Sequence, residues 1–314
     1  MRRSPNTRRT LALGLGWALA LAWVGAAPGQ DPVPASPPPA KPAVAPVDLP
    51  NAAHPPDAAD PMVVAIVAAH NKLRADEKLP PLAFAPLLAK AAQVQAADMA
   101  ERGEMTHAGS DGTAPADRVK RAGYRYVTTG ENVAVFYPDV PQVMQAWVDS
   151  PPHKHNILGD FTELGVAKVE GRDGKPYWCV DFGRPMPKFD PAEAAGDLVA
   201  RLNDARTAAE HPKLAANDRL AKAAQAQAVE SARTSGKGGT PTEFTGLDTR
   251  QYRELAMSTA VGVPTPADVL KMFLDNPQYK ERLLGPSTQV GVGYATDPEG
   301  VPYWCLILAK PARP

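Results

Sequence analysis

Leu88-Ala89-Lys90-Ala91-Ala92-Gln93 recurs as Leu220-Ala221-Lys222-Ala223-Ala224-Gln225, and the match extends without a gap from residues 66–100 onto 198–232 at a constant offset of 132. Within it Asn71 meets Asn203, Arg74 meets Arg206, Pro80 meets Pro212 and Leu82 meets Leu214. A second ungapped block carries residues 147–185 onto 273–311 at an offset of 126. There Gly165-Val166 meets Gly291-Val292, and Pro176-Tyr177-Trp178-Cys179 meets Pro302-Tyr303-Trp304-Cys305. Chance does not easily produce two such blocks in the same order, so the chain reads as a duplicated domain of about 120 residues, an ordinary domain size. The second copy is six residues shorter, and the loss falls between the two blocks.

One copy reads as mixed α and β. Asp60 can cap a helix with Pro61 at its first position, and Val63, Ile66, Val67, His70 and Leu73 fall on one helical face. A second helix follows Pro86, presents Leu88, Ala91, Ala92, Gln95 and Met99, and stops at Gly103. Shorter helices are expected from Pro115 to Ala122 and around Pro141 to Val148. Two strands follow, near Leu164–Glu170 and Tyr177–Phe182, joined through Arg172-Asp173-Gly174; Asp-Gly between apolar runs is a hairpin signal. Helices ahead of a terminal hairpin imply a sheet covered by helices.

The ends set the context. Arg2, Arg3, Arg8 and Arg9 precede an apolar run from Leu11 to Val24, and Gly25-Ala26-Ala27 follows. Residues 1–27 therefore read as a secretory signal peptide, of either the general or the twin-arginine kind. The run is shorter than the ~20 residues that span a bilayer, so no retained transmembrane segment is expected. Residues 28–60 are dominated by Pro and Ala and read as a disordered, semi-rigid linker, too poor in apolar surface to offset its ordering entropy. Folded copies are expected at residues 61–187 and 195–314, in a protein that is secreted or held in the periplasm or cell envelope. Lys+Arg and Asp+Glu both number 34, so nothing in the global charge draws the chain to nucleic acid.

Several short motifs now add up. They are His70-Asn71 with Arg74, Thr106-His107-Ala108-Gly109, Gly130-Glu131-Asn132, Trp147 with Ser150-Pro151-Pro152-His153, Asn156-Ile157-Leu158, Gly165-Val166 and Tyr177-Trp178. In this order and spacing they resemble the CAP superfamily, the SCP/PR-1-like proteins, in its bacterial branch. Pro152 and Lys154 stand where that branch usually has Gly and Arg. The resemblance implies an α/β (α+β) fold, a three-layer α-β-α sandwich of the CAP type in two tandem copies. It also implies a His/Glu cleft in which His107 and His153 match two histidines and Glu131 the first acid. The second acid would fall near Ser150 and is absent or replaced by Asp149.

Two imidazoles and a carboxylate are adequate ligands for Zn²⁺, and three protein ligands leave a position for water. A metal-free His-Glu pair could instead move protons near neutral pH. His107, Glu131 and His153 are therefore the candidates both for metal binding and for catalysis, although no positioned nucleophile or oxyanion pocket is visible. The family points rather to binding modules for lipids, sterols or protein partners, and a lipid, a peptide or a cell-wall component is the ligand expected here. A peptide or ester hydrolase and a structural wall-interacting protein are the alternatives. His70 reads as a core or cleft-edge histidine, His155 as solvent-facing, and Asn71 and Arg74 as hydrogen-bonding ties from the first helix to a loop. Trp147, Tyr177 and Trp178 read as core.

The second copy has Tyr279 where the first has His153, lacks the Gly-Glu-Asn segment, and leaves Glu254 as a loose candidate for its acid. It reads as a degenerate copy without the cleft, structural or protein-binding. Cys179 and Cys305 occupy equivalent positions in apolar strands and are expected as buried free thiols of separate cores.

Overall fold

The computed structural model describes residues 23–24, 55–236, 244 and 246–312. Most of the expected leader and linker lies outside them. The described chain divides into two compact units, the first holding residues 55–122 and 129–182 with 23–24, the second residues 123–128 and 183–312.

The first copy's elements are β1 (Trp23–Val24), α1 (Pro61–Asp76), β2 (Ala83–Phe84), α2 (Pro86–Arg102), α3 (Pro115–Arg121), β3 (Tyr126–Val135), α4 (Val140–Asp149), α5 (Pro151–Ile157), β4 (Glu163–Glu170) and β5 (Pro176–Pro185). The strands form one sheet in the order β1-β3-β5-β4-β2. Local chemistry fixes the helix ends. The Asp60 carboxylate accepts from Met62 N at 2.8 Å ahead of Pro61, and Asp139 caps α4 at Gln142 N. Gly103 ends α2 in the left-handed conformation, φ 67°.

Alternation along β5 sorts the two faces of the sheet. Trp178, Val180 and Phe182 point to one side, where Ala134, Val63 and Ile66 of α1, Val143 and Trp147 of α4 and Ile157 of α5 complete a core. Tyr177 and Cys179 point to the other, against Val133, Val135, Ala167 and the small residues Ala92 and Ala96 of α2. The result is three layers, α-β-α. The repeat's two signatures meet here: a Cβ on Gly165 would lie 1.9 Å from Ala89 N and 2.2 Å from Leu88 C, so the Leu-Ala-Lys-Ala-Ala-Gln helix rests directly on the Gly-Val strand.

The second copy repeats the plan with α6 (Pro191–Ala208), β6 (Ala215–Ala216), α7 (Asp218–Arg233), a 3₁₀ turn at Thr249–Gln251, β7 (Tyr252–Val261), α8 (Pro266–Asp275), α9 (Pro277–Leu283), β8 (Gln289–Thr296) and β9 (Pro302–Pro311). Its sheet runs β6-β8-β9-β7, with β6 parallel to β8 and the other pairs antiparallel. Leu198, Phe273 and Leu306 share one core; Ala224, Cys305 and Ile307 share the other. Gly291 repeats the close approach, its added Cβ falling 2.2 Å from Ala221 N.

Each copy carries the same closing tie. Arg74 Nε donates to Pro80 O at 2.7 Å, Nη1 to the carbonyls of Ile157 and Gly159 at 2.9 Å each, and Nη2 to Phe161 O at 3.2 Å. Arg206 makes the equivalent four bonds to Pro212, Leu283, Gly285 and Ser287. Asn71 brackets the backbone of Leu82, donating to its carbonyl and accepting from its N–H, as Asn203 does at Leu214. These are the loop ties expected for Asn71 and Arg74. Cys179 and Cys305 are both free and buried.

Candidate functional site

Glu131 lies in β3, two residues before Val133, and its side chain faces α2 and α3. The loop after α2 delivers His107 to it. Gln95 holds Thr106 O, Asp98 accepts from Ser110 N, and Arg118 of α3 donates to the carbonyls of Thr113 (3.1 Å) and His107 (3.0 Å). In this setting His107 Nδ1 stands 2.7 Å from Glu131 Oε1, and Arg118 Nη2 donates to Oε2 at 2.6 Å. A carboxylate can only accept, so the His107 proton facing it sits on Nδ1. The Glu131 and Arg118 side chains are 0% and 2% exposed, while His107 retains 13% at the surface.

Two further groups complete the cluster, and neither was marked as a site residue in the sequence. Cys179 Sγ lies 3.4 Å from Glu131 Oε2. Asp181, two residues further along β5 and fully buried, shares the same face. Burial first, and then the Glu131 charge, raise its carboxyl well above the usual range despite Arg118. Burial, followed by the same negative charge, also raises the Cys179 thiol well above its ordinary value. For Arg118 burial is the largest influence and works against the charge, but Glu131, Asp181 and Cys179 together outweigh it and hold the guanidinium more firmly protonated. The signal for Asp181 was an acid inside the apolar run Tyr177-Trp178-Cys179-Val180-Asp181-Phe182. Arg118, on a short helix of ordinary composition, gave none.

His153 takes the third position of α5, a helix of the layer on the opposite face of the sheet from the Glu131 side chain. It is buried, and its carbonyl accepts from Asn132 Nδ2 at 3.1 Å. Asn156 joins α5 to the same strand, donating to Glu131 O at 3.1 Å and Asn132 Oδ1 at 2.9 Å. His155 is exposed. His70 is a core residue: Nδ1 donates to Ile66 O at 2.8 Å, the ring packs between Trp147 and Phe182, and burial lowers its pKa to about 4. Asp149 ends α4, where Gln145 donates to it, and Ser150 precedes α5.

The structure thus joins His107 to Glu131. Among the described residues the one set of three metal-ligating side chains with ligand atoms within 4.8 Å of one another is Glu131, Cys179 and Asp181, without either histidine. His107, Glu131 and His153 do not form such a set among the described residues, and the Arg118 guanidinium lies 2.6 Å from Glu131 Oε2. In the Glu131-Cys179-Asp181 set that same guanidinium already stands beside the carboxylate that a cation would use.

The strand equivalences show what became of this cluster in the second copy. β3 and β7 align at an offset of 126, which places Met257 at Glu131 and Ile307 at Asp181, and Met257 and Ile307 face each other across β7 and β9. Glu254 is not the counterpart of Glu131: it corresponds to Thr128, is exposed, and lies 3.8 Å from Lys310.

A three-layer sandwich closed by an arginine on its first helix, with Gly-Glu-Asn on a central strand, defines a CAP-type domain. The family model for the cysteine-rich secretory protein (CAP) family matches residues 67–182 and again 199–308. The chain belongs to that family. Among curated proteins it is 34% identical over 106 residues to the "Uncharacterized protein YkwD" of Bacillus subtilis (strain 168), matching 33% of this chain and 41% of that one. It is 30% identical over 108 residues to the same organism's "Uncharacterized membrane protein YlbC", matching 34% of this chain and 30% of that one. The chain thus spans less than half the length of these relatives. Solved structures that resemble it include an outer surface protein of Borrelia burgdorferi, with 25% identity, TM-score 0.37, and coverage of 41% of this chain and 96% of that one. Another is an extracellular protein containing an SCP domain from Bacillus anthracis str. Ames, with 28% identity, TM-score 0.35, and coverage of 38% and 39%.

Proposed function

We propose that the chain is an exported binding module whose first copy presents a carboxylate-oriented imidazole, His107, to an envelope ligand: a lipid, a peptide or a cell-wall component. The observation that carries this reading is the engagement of Glu131. Both of its oxygens are taken, by His107 Nδ1 and Arg118 Nη2, and the group is sealed from solvent. A carboxylate held this way orients a neighbour and stiffens a loop; it is not available to activate water. The arginine-led apolar stretch at residues 2–24 supports export. Among the described residues no helix is long and apolar enough to cross a membrane.

The hydrolase reading has one observation in its favour, the carboxylate that orients the His107 imidazole. One set of measurements separates the two. The full chain and its His107→Ala and His153→Ala variants would be sedimented with purified peptidoglycan and with anionic phospholipid vesicles, titrated with Zn²⁺, and assayed on p-nitrophenyl acetate. The binding reading expects co-sedimentation that His107→Ala weakens, with ester cleavage no faster than the variants give. Turnover abolished by His107→Ala, without co-sedimentation, would replace it with the hydrolase.

A further inference from the structure

The two copies differ at the arginine tie in a way that changes its chemistry. A guanidinium has five N–H donors. The four bonds that Arg206 makes to carbonyls leave one N–H on Nη2. In the first copy Asp160 supplies an opposing charge to Arg74. The equivalent position in the second copy is Pro286, and only burial acts on Arg206. Two nitrogen-bearing side chains have arrived on the same rim, His211 at the place of Leu79 and Lys213 at the place of Pro81. Bulk has also gone. The Phe161 ring crowds the position over Gly159, whereas Ser287 stands at its place and a Cβ on Gly285 would meet only main chain. The outcome is a hollow of about 360 Å³ that reaches Arg206, with His211, Lys213 and Ser287 at its polar side and Pro212, Leu284 and Pro286 as apolar walls.

We propose that this hollow of the second copy is a binding site for a small monocarboxylate with a short apolar body. The carboxylate replaces the counter-charge that Asp160 provides in the first copy, meeting the Arg206 N–H, the Lys213 ammonium and the Ser287 hydroxyl. The apolar body lies against the proline and leucine walls. A buried cation without a carboxylate beside it is costly, and an anionic ligand relieves that cost. This gives the degenerate copy a chemistry of its own, independent of the His107–Glu131 pair.

The test is calorimetry on the full chain at low ionic strength, with butyrate and inorganic phosphate as probes. Saturable butyrate binding is expected in the roughly millimolar range that so few ligand atoms allow. Pro286→Asp, which restores the internal counter-charge, should weaken it by about tenfold or more while leaving the thermal midpoint unchanged or raised. Lys213→Ala, on an exposed rim position that folding does not need, should weaken it by about fivefold. His107→Ala should bind as the parent does. Absence of saturation at millimolar butyrate, or equal binding by parent, Pro286→Asp and Lys213→Ala, would overturn the site. Phosphate binding as tightly as butyrate would overturn the assignment to a carboxylate with an apolar body.

Discussion

Arg118 Nη2 donates to Glu131 Oε2 at 2.6 Å, and the same guanidinium holds the carbonyls of His107 and Thr113. One buried cation thus fixes both the acid and the loop that brings the imidazole to it. Replacing it with alanine strands a buried carboxylate. Arg118→Ala should cost about 3–5 kcal/mol in chemical denaturation, the range for breaking one side of a buried pair. A loss below about 1 kcal/mol would mean the pair is not buried in solution.

The second copy points to the opposite experiment. Where the first has Glu131 and Asp181, it has Met257 and Ile307, packed across neighbouring strands. Hydrocarbon of similar volume often replaces a buried ionic group without loss. The triple variant Arg118→Met, Glu131→Met, Asp181→Ile should therefore fold with stability within about 2 kcal/mol of the parent, while losing the His107-dependent binding. Denaturation midpoints of the single and triple variants, measured side by side, decide this.

Two buried groups give stability opposite slopes with pH. His70 is held neutral, its pKa lowered by burial to about 4 from 6.5. Between those values the unfolded chain takes up a proton that the folded chain refuses, so stability falls as pH falls through that window, by on the order of 3 kcal/mol. Asp181 is raised, by burial and then by Glu131. Its contribution is complete below the ordinary carboxyl value of 3.8 and is lost as pH rises, because the unfolded chain releases a proton that the folded chain keeps. Both windows open near pH 4, so the two contributions oppose each other there: in denaturation profiles His70→Leu should leave stability falling as pH rises from about 4, and Asp181→Asn should leave it rising up to about pH 6.5. Unchanged profiles would show that neither group is shielded as described.

Glycine at 165 and 291 is a matter of space, since an added Cβ would collide with the backbone of α2 or α7. Gly165→Ala and Gly291→Ala should each destabilise by about 3 kcal/mol or more, at the upper end for overpacking. Gly196, exposed within α6 and with nothing within 4 Å of its added Cβ, is the control. Gly196→Ala should stabilise by roughly 0.5–1 kcal/mol. Thermal melts of the three variants check the set.

Cys179 and Cys305 are fully buried thiols, the first raised well above its ordinary value and the second to about 12, in both cases chiefly by burial. Iodoacetamide at about pH 8 should leave the native chain unmodified and label both cysteines after guanidinium unfolding. Mass spectrometry reads the difference directly.

What the sequence revealed follows from where the signals are local. Asp60-Pro61, Pro86, Gly103 and Asp173-Gly174 mark ends and turns by backbone chemistry alone, and the elements begin and stop within three residues of them. β3 escaped because its centre, Thr128-Thr129-Gly130-Glu131-Asn132, is polar while most of the strand is buried on both faces. Alternation fails as a guide for such a strand. α5 escaped because Pro151-Pro152 reads as a break when it is in fact a helix start. At the site, the His107–Glu131 meeting was legible only through the family resemblance. Arg118 and Asp181 reach Glu131 from 13 and 50 positions away along the chain, a distance that no local pattern encodes.

Arg74 and Arg206 grip main-chain oxygens rather than side chains. An acceptor of that kind is supplied by every amino acid, so mutation in the gripped loops cannot delete it. Those loops can change residue by residue while the latch stays shut, and for that reason a duplicated unit can exchange its chemistry without first surrendering its shape.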